Sequence, residues 1–139
     1  MEEPLKISVV DLTDNESGPS DSNAPGNPVV CKFILIMVSG ELCFVLGSYD
    51  QFAYHANLVD RFCAERGIES GWARKPDLVE VYQKDVRIGG GGWMKIERVG
   101  AAIEIYGGST AYGRFDSEAV EMIVENHAYF AASEVLIRG

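Results

Sequence analysis

Hydrophobic patterning is sharpest between residues 29 and 66. Residues 29–38 and 41–46 are dense in β-branched and aromatic side chains and are separated only by Ser39-Gly40, which predicts two strands joined by a two-residue hairpin turn. Ser48 then precedes Gln51 at capping-box spacing. Phe52, His55, Ala56, Val59, Phe62 and Cys63 recur at intervals of three and four, so they share one face of a helix predicted over 49–66 and closed by Gly67. Around this unit the signals are shorter. Residues 5–12 alternate loosely and predict an edge strand, 77–84 predict another, and 93–98 and 101–106 predict a pair turned by Val99-Gly100. The run Gly89 to Gly92 predicts a bulge or a close backbone contact. A second helix is expected from Asp116 or Ser117, with Val120, Ile123, Val124, His127 and Ala131 on one face, followed by a last strand over 134–137. The order predicts a single α/β domain, with a mixed β-sheet of about five to six strands flanked by two main helices.

Composition sets the boundaries. Residues 13–28 gather Asp, Asn, Ser and Gly with three prolines and bury too little apolar area to offset their ordering entropy. The expected organisation is an N-terminal segment 1–28, an edge strand and then a flexible loop, ahead of a domain over 29–139. With 47% hydrophobic and 24% charged residues, the chain has the balance of a soluble globular protein. Its three cysteines show neither Cys-x-x-Cys spacing nor a histidine partner, so a zinc site and a disulfide framework are not expected, nor any other metal or cofactor. The start Met-Glu-Glu-Pro lacks the regions of a signal peptide, and the longest apolar run, 31–38, is far short of a bilayer span. The expectation is a reduced, cytoplasmic monomer with no membrane partner. A formal net charge of -9 repels a nucleic-acid backbone, so no nucleic-acid partner is expected. The same charge slows a phosphorylated substrate unless basic residues cluster, and Lys32, Lys95, Arg98 and Arg114 are the candidates.

One segment suggests such a substrate. The predicted strand 101–106 empties into Gly107-Gly108-Ser109-Thr110-Ala111-Tyr112-Gly113, where glycines let consecutive N–H groups of Ser109, Thr110 and Ala111 converge on an anion, with a phosphoryl group the obvious candidate. Taken alone, such a run is more often a tight turn whose glycines supply positive φ. His55, in the second turn of the predicted helix, points with the apolar stripe. A lone histidine there is commonly structural, yet its neutral imidazole is able to activate water or attack phosphorus if a phosphoryl group is held beside it. Lys32 interrupts an apolar strand, either to neutralise phosphoryl oxygens or to snorkel to solvent. Arg114 reads as solvated, His127 as a helix C-terminal histidine, and Cys63 as a packed thiol.

Lys32 before Phe33-Ile34-Leu35-Ile36, then Tyr54-His55-Ala56, Gly90-Gly91-Gly92, Tyr106-Gly107 and Ser109-Thr110-Ala111-Tyr112-Gly113 together resemble the small phosphohistidine phosphatase family that includes the janus and ocnus proteins. The likeness runs across 29–113 and more weakly to the C-terminus. It implies that His55 is catalytic, that Lys32 binds substrate, and that the backbone of Ser109, Thr110 and Ala111 holds phosphate. It further implies metal-independent hydrolysis of phosphohistidine on partner proteins, with phospholysine as a related substrate. Members of that family commonly carry arginines where this chain has Trp93 and Leu46, and a longer linker in place of Ser39-Gly40. Two competing classes stay open: a non-catalytic member that binds phosphate or a phosphoprotein through the same loop, and a structural or regulatory interaction protein. Whether the loop amides and the His55 ring face one site discriminates the first from catalysis.

Overall fold

The computed structural model describes residues 6–13, 29–73, 78–97 and 102–138. At its centre β2 (Val29–Val38) and β3 (Glu41–Ser48) form the predicted hairpin. Ser39 (φ 41°) and Gly40 (φ 83°) are both left-handed, as in the primed turns whose twist matches that of paired strands. The free edge of β2 receives β6 (Val86–Glu97) and β6 receives β7 (Ala102–Tyr106), both antiparallel. Parallel strands finish the edges, β8 (Glu134–Ile137) on β7 and β1 (Lys6–Asp11) on β3, giving one six-stranded mixed sheet in the order β1-β3-β2-β6-β7-β8.

Helices cover opposite faces. β2 is a nearly continuous apolar run because both of its faces are buried. Ile34 and Ile36 pack with Ala56, Leu58, Val59 and Phe62 of α1 (His55–Arg66), whereas Phe33 and Leu35 share a second core with Val120 and Ile123 of α2 (Ser117–Asn126). Among the described residues no helix is long and apolar enough to cross a membrane.

Several expectations are corrected. The predicted strand over 77–84 is shorter, β5 (Val79–Val81), and it pairs with an unanticipated β4 (Ser70–Trp72) in a separate two-stranded sheet. A three-residue strand beginning Ser-Gly carries no alternation to read. The Val99-Gly100 turn and residues 14–28 lie outside the described residues. Helix α1 starts at His55 and not at residue 49. The Ser48 carbonyl accepts from the N–H groups of Gln51 (3.0 Å) and Phe52 (3.1 Å), and its hydroxyl from that of Asp50 (3.3 Å), so the Ser-x-x-Gln signal closes a turn. Phe52 is still buried, because Gly47 leaves room: a Cβ there would overlap the Phe52 ring and stand 2.8 Å from Leu58 Cδ2. The true N-cap is Tyr54, extended at φ -130°, with its N–H bonded to Asn57 Oδ1 at 2.9 Å. Gly67 closes the helix at φ 68°, as expected.

At α2, Asp116 is the N-cap and accepts from the Glu118 N–H at 3.0 Å. The helix stops at Asn126. His127 follows as C-cap with its ring accepting from the Tyr129 N–H (3.1 Å), and Ala131 lies exposed beyond it. The glycine run forms the expected bulge: Ile34 pairs with Gly91 but Ile36 with Ile88, so Gly89 and Gly90 together face Leu35.

Candidate active site

Across the sheet, Gly47, Lys32, Trp93 and Tyr106 are register partners in one row. Alternation from Ile34 and Ile36 places that row on the α1 face, just beyond the helix N-terminus. Lys32 does not snorkel outward. It is 6% exposed, and its ammonium donates to the Ala53 carbonyl in the segment that leads into α1. The same ammonium lies 5.0 Å from the ring centre of Trp93, 5.8 Å from Tyr49 and 6.0 Å from Tyr54. Burial lowers its pKa from the usual lysine value.

His55 is the first helical residue, one turn earlier than predicted, so the positive end of the helix dipole acts on it fully. Its ring approaches β6 only because Gly91 lacks a side chain: a Cβ there would stand 2.6 Å from the Phe33 carbonyl oxygen and 2.8 Å from His55 Cδ2. Nε2 lies 2.9 Å from the Gly92 carbonyl oxygen. A carbonyl only accepts, so Nε2 carries the proton and Nδ1 of the neutral ring keeps the lone pair. Burial depresses the imidazole pKa, the Gly92 bond partly opposes this, and the Lys32 charge depresses it further. The ring is therefore held as a neutral base at physiological pH.

The loop after β7 is stitched to the same glycines. Gly91 donates to the Gly113 carbonyl at 3.0 Å and accepts from the Phe115 N–H at 3.1 Å, while the Tyr112 hydroxyl both accepts from and donates to the Val79 backbone at 2.8 Å. Within the loop the Ser109 N–H points inward to the Gly113 carbonyl (3.1 Å), and Ser109 Oγ accepts from the Tyr112 N–H (3.1 Å). The Ser109 amide is thus taken up inside the loop and is not an open donor. The N–H groups of Thr110 and Ala111 have no internal acceptor among the described residues.

A pocket of about 120 Å³ brings Lys32, His55, Ser109, Thr110 and Ala111 together, and Tyr54, Trp93 and Gly108 complete its wall. These residues carry a cation, two open amides, hydroxyls and an imidazole, a set of groups able to receive a tetrahedral oxyanion beside a base. The wider basic cluster does not assemble. Arg114 donates to the Arg138 carbonyl at 2.7 Å and lies 4.4 Å over Phe115, Lys95 pairs with Glu97 at 3.3 Å, and Arg98 lies outside the described residues. Leu46 is buried in the core under α2, on the other side of the sheet. All three thiols are buried and free, with burial pushing Cys31 to about 12 and Cys43 to about 11 and raising Cys63. Cys63 is the packed thiol expected of it. Trp93 was not selected by sequence reasoning, although its place directly after the triple glycine was the available signal.

A family model described as the Janus/Ocnus family matches residues 26–133, more than half of the chain. No curated protein matches it.

Proposed function

The chain belongs to the Janus/Ocnus family, and from that premise we propose that it is a protein histidine phosphatase that cleaves the P–N bond of phosphohistidine without a metal. The phosphoryl oxygens sit on the N–H groups of Thr110 and Ala111 and the Ser109 hydroxyl, with the Lys32 ammonium drawing off negative charge. His55 Nδ1 takes a proton from the attacking water as the new P–O bond forms and the P–N bond breaks. Alternatively it accepts the phosphoryl group itself, and a water then cleaves the P–N bond of phospho-His55 to release phosphate. The leaving imidazole carries off the bonding pair and takes up a proton, which makes it a good leaving group. One observation carries the reading: His55, whose Nδ1 keeps its lone pair, Thr110 and Ala111, whose amides have no internal acceptor among the described residues, and the buried Lys32 line one pocket. Three buried free thiols suit a reducing compartment, so the partner is an intracellular phosphoprotein.

A second reading has its own support. Lys32 is the one cation among the described residues that line the pocket, with Trp93 where an arginine commonly stands in the family. Such a site binds phosphate without turning it over. The two are separated by phosphate release from a phosphohistidine protein and from phosphoramidate with no added metal. Release by the wild-type protein establishes the phosphatase; tight phosphate binding with no release establishes the binding module.

The pH dependence has a fixed sign. Because the His55 pKa is depressed, kcat/KM rises with pH through an inflection below the ordinary histidine value of about 6.5 and is level at neutrality. Folding follows the same group: its contribution is present above the unfolded-state value and is lost as pH falls through the folded one. A pH–rate profile and an NMR titration of the His55 ring check both. An inflection above the ordinary value would remove the neutral-base assignment.

A further inference from the structure

Buried cations in proteins are normally paired with carboxylates. Lys32 is buried, yet none of the described carboxylates forms an ion pair with it; its neighbours are the Ala53 carbonyl and three aromatic rings. The enclosure is built in. Trp93 is the cross-strand partner of Lys32, its indole is seated against Gly107, where a Cβ would stand 2.8 Å away, and Tyr49 packs on it with ring centres 5.4 Å apart. Tyr54 closes the other side at 6.0 Å from the ammonium.

We propose that Trp93, Tyr49 and Tyr54 form an ammonium-binding subsite that holds Lys32 charged without neutralising it, so that its whole field is available to an oxyanion on the Thr110 and Ala111 amides. A carboxylate partner would cancel the charge and repel the anion, whereas the negative face of an aromatic ring attracts a cation and carries no net charge. Trp93, standing where a second cation is common in the family, is then a positioning residue that works through Lys32. The inference rests on the phosphate-binding part of the proposed function and not on hydrolysis.

The test reads inorganic phosphate binding by calorimetry and by the amide shifts of Thr110 and Ala111. Trp93→Ala weakens binding about tenfold at neutral pH, and Trp93→Phe restores it to within about threefold. Lys32→Ala weakens it by at least about tenfold, and added methylammonium, which fits the vacated subsite, recovers affinity in a saturable way. The double variant Lys32→Ala/Trp93→Ala is not recovered. Wild-type affinity in Trp93→Ala, equal recovery in the double variant, no recovery by methylammonium, or no phosphate binding by the wild type would each overturn the subsite. Should Trp93→Ala fail to fold, the methylammonium experiment on Lys32→Ala decides alone. Phosphate binding that behaves as expected with no release from phosphohistidine would remove the phosphatase and leave this inference standing.

Discussion

His55→Ala lowers phosphate release from a phosphohistidine protein by about 10² to 10⁴-fold, the range a positioned general base contributes, and by more if the ring itself accepts the phosphoryl group. The Thr110 and Ala111 amides and Lys32 do not depend on the imidazole, so phosphate affinity stays within about threefold of wild type. The loss then falls on kcat, the signature of an interaction made in the transition state. Stability is the confounding variable. The ring is 7% exposed and bonded to the Gly92 carbonyl, and alanine leaves both a void and an unpaired acceptor, at a cost of about 2 kcal/mol. His55→Gln supplies a side-chain N–H for that carbonyl but no base at neutral pH. Single-turnover release by both variants, with folding verified by far-UV circular dichroism, is the measurement. More than a tenth of wild-type release in both would exclude His55 as base or acceptor.

Gly90→Ala destabilises the fold by about 3 kcal/mol, lowering Tm by roughly 10 °C, and disables the site together with it. Two costs add. At φ +86° an alanine is strained by about 1 kcal/mol, and its Cβ would overlap the Arg114 carbonyl oxygen, stand 2.8 Å from the carbonyl carbon and reach 3.2 Å from Phe115 Cα. These are backbone atoms, so relief comes only by pushing residues 113–115 off β6, which breaks the Gly91 bonds to Gly113 and Phe115 and moves the open amides. Gly40→Ala is the matched control: φ is +83° but nothing lies within 4 Å of the new Cβ, so only the strain remains, about 1 kcal/mol. Denaturant unfolding of both variants tests the difference. Equal losses would mean that the loop does not depend on the glycine run for its seat.

The distribution of effects shows why the bulge and the loop belong together. Gly90, Gly91 and Gly92 each admit a different neighbour: the Arg114 backbone, the His55 ring and the Phe115 ring. Removing side chains from three successive residues lets α1, β6 and the loop after β7 meet closely enough to form a pocket of about 120 Å³.

What the sequence determined by itself was whatever short-range stereochemistry controls. The Ser39-Gly40 hairpin, the Asp116 cap, the Gly67 stop and the Gly89–Gly90 bulge follow from a few neighbouring residues and stand where the chain predicts them. The five candidate site residues were readable from motifs, and they do line one pocket. Tertiary structure decided the rest. Ser48 and Gln51 satisfy the rule for a helix start and for a tight turn equally well, and the burial of Phe52 over Gly47 selected the turn, moving His55 to the first position of α1. The Ser109 amide was claimed by Gly113 because the loop closes on itself, which left the open donors at Thr110 and Ala111. Lys32 and Trp93 are 61 positions apart in the chain and become neighbours only through the register of β2 against β6. A local rule counts residues along the chain, whereas partners for a buried charge are set by which strands lie side by side, and that choice belongs to the packing of the whole sheet.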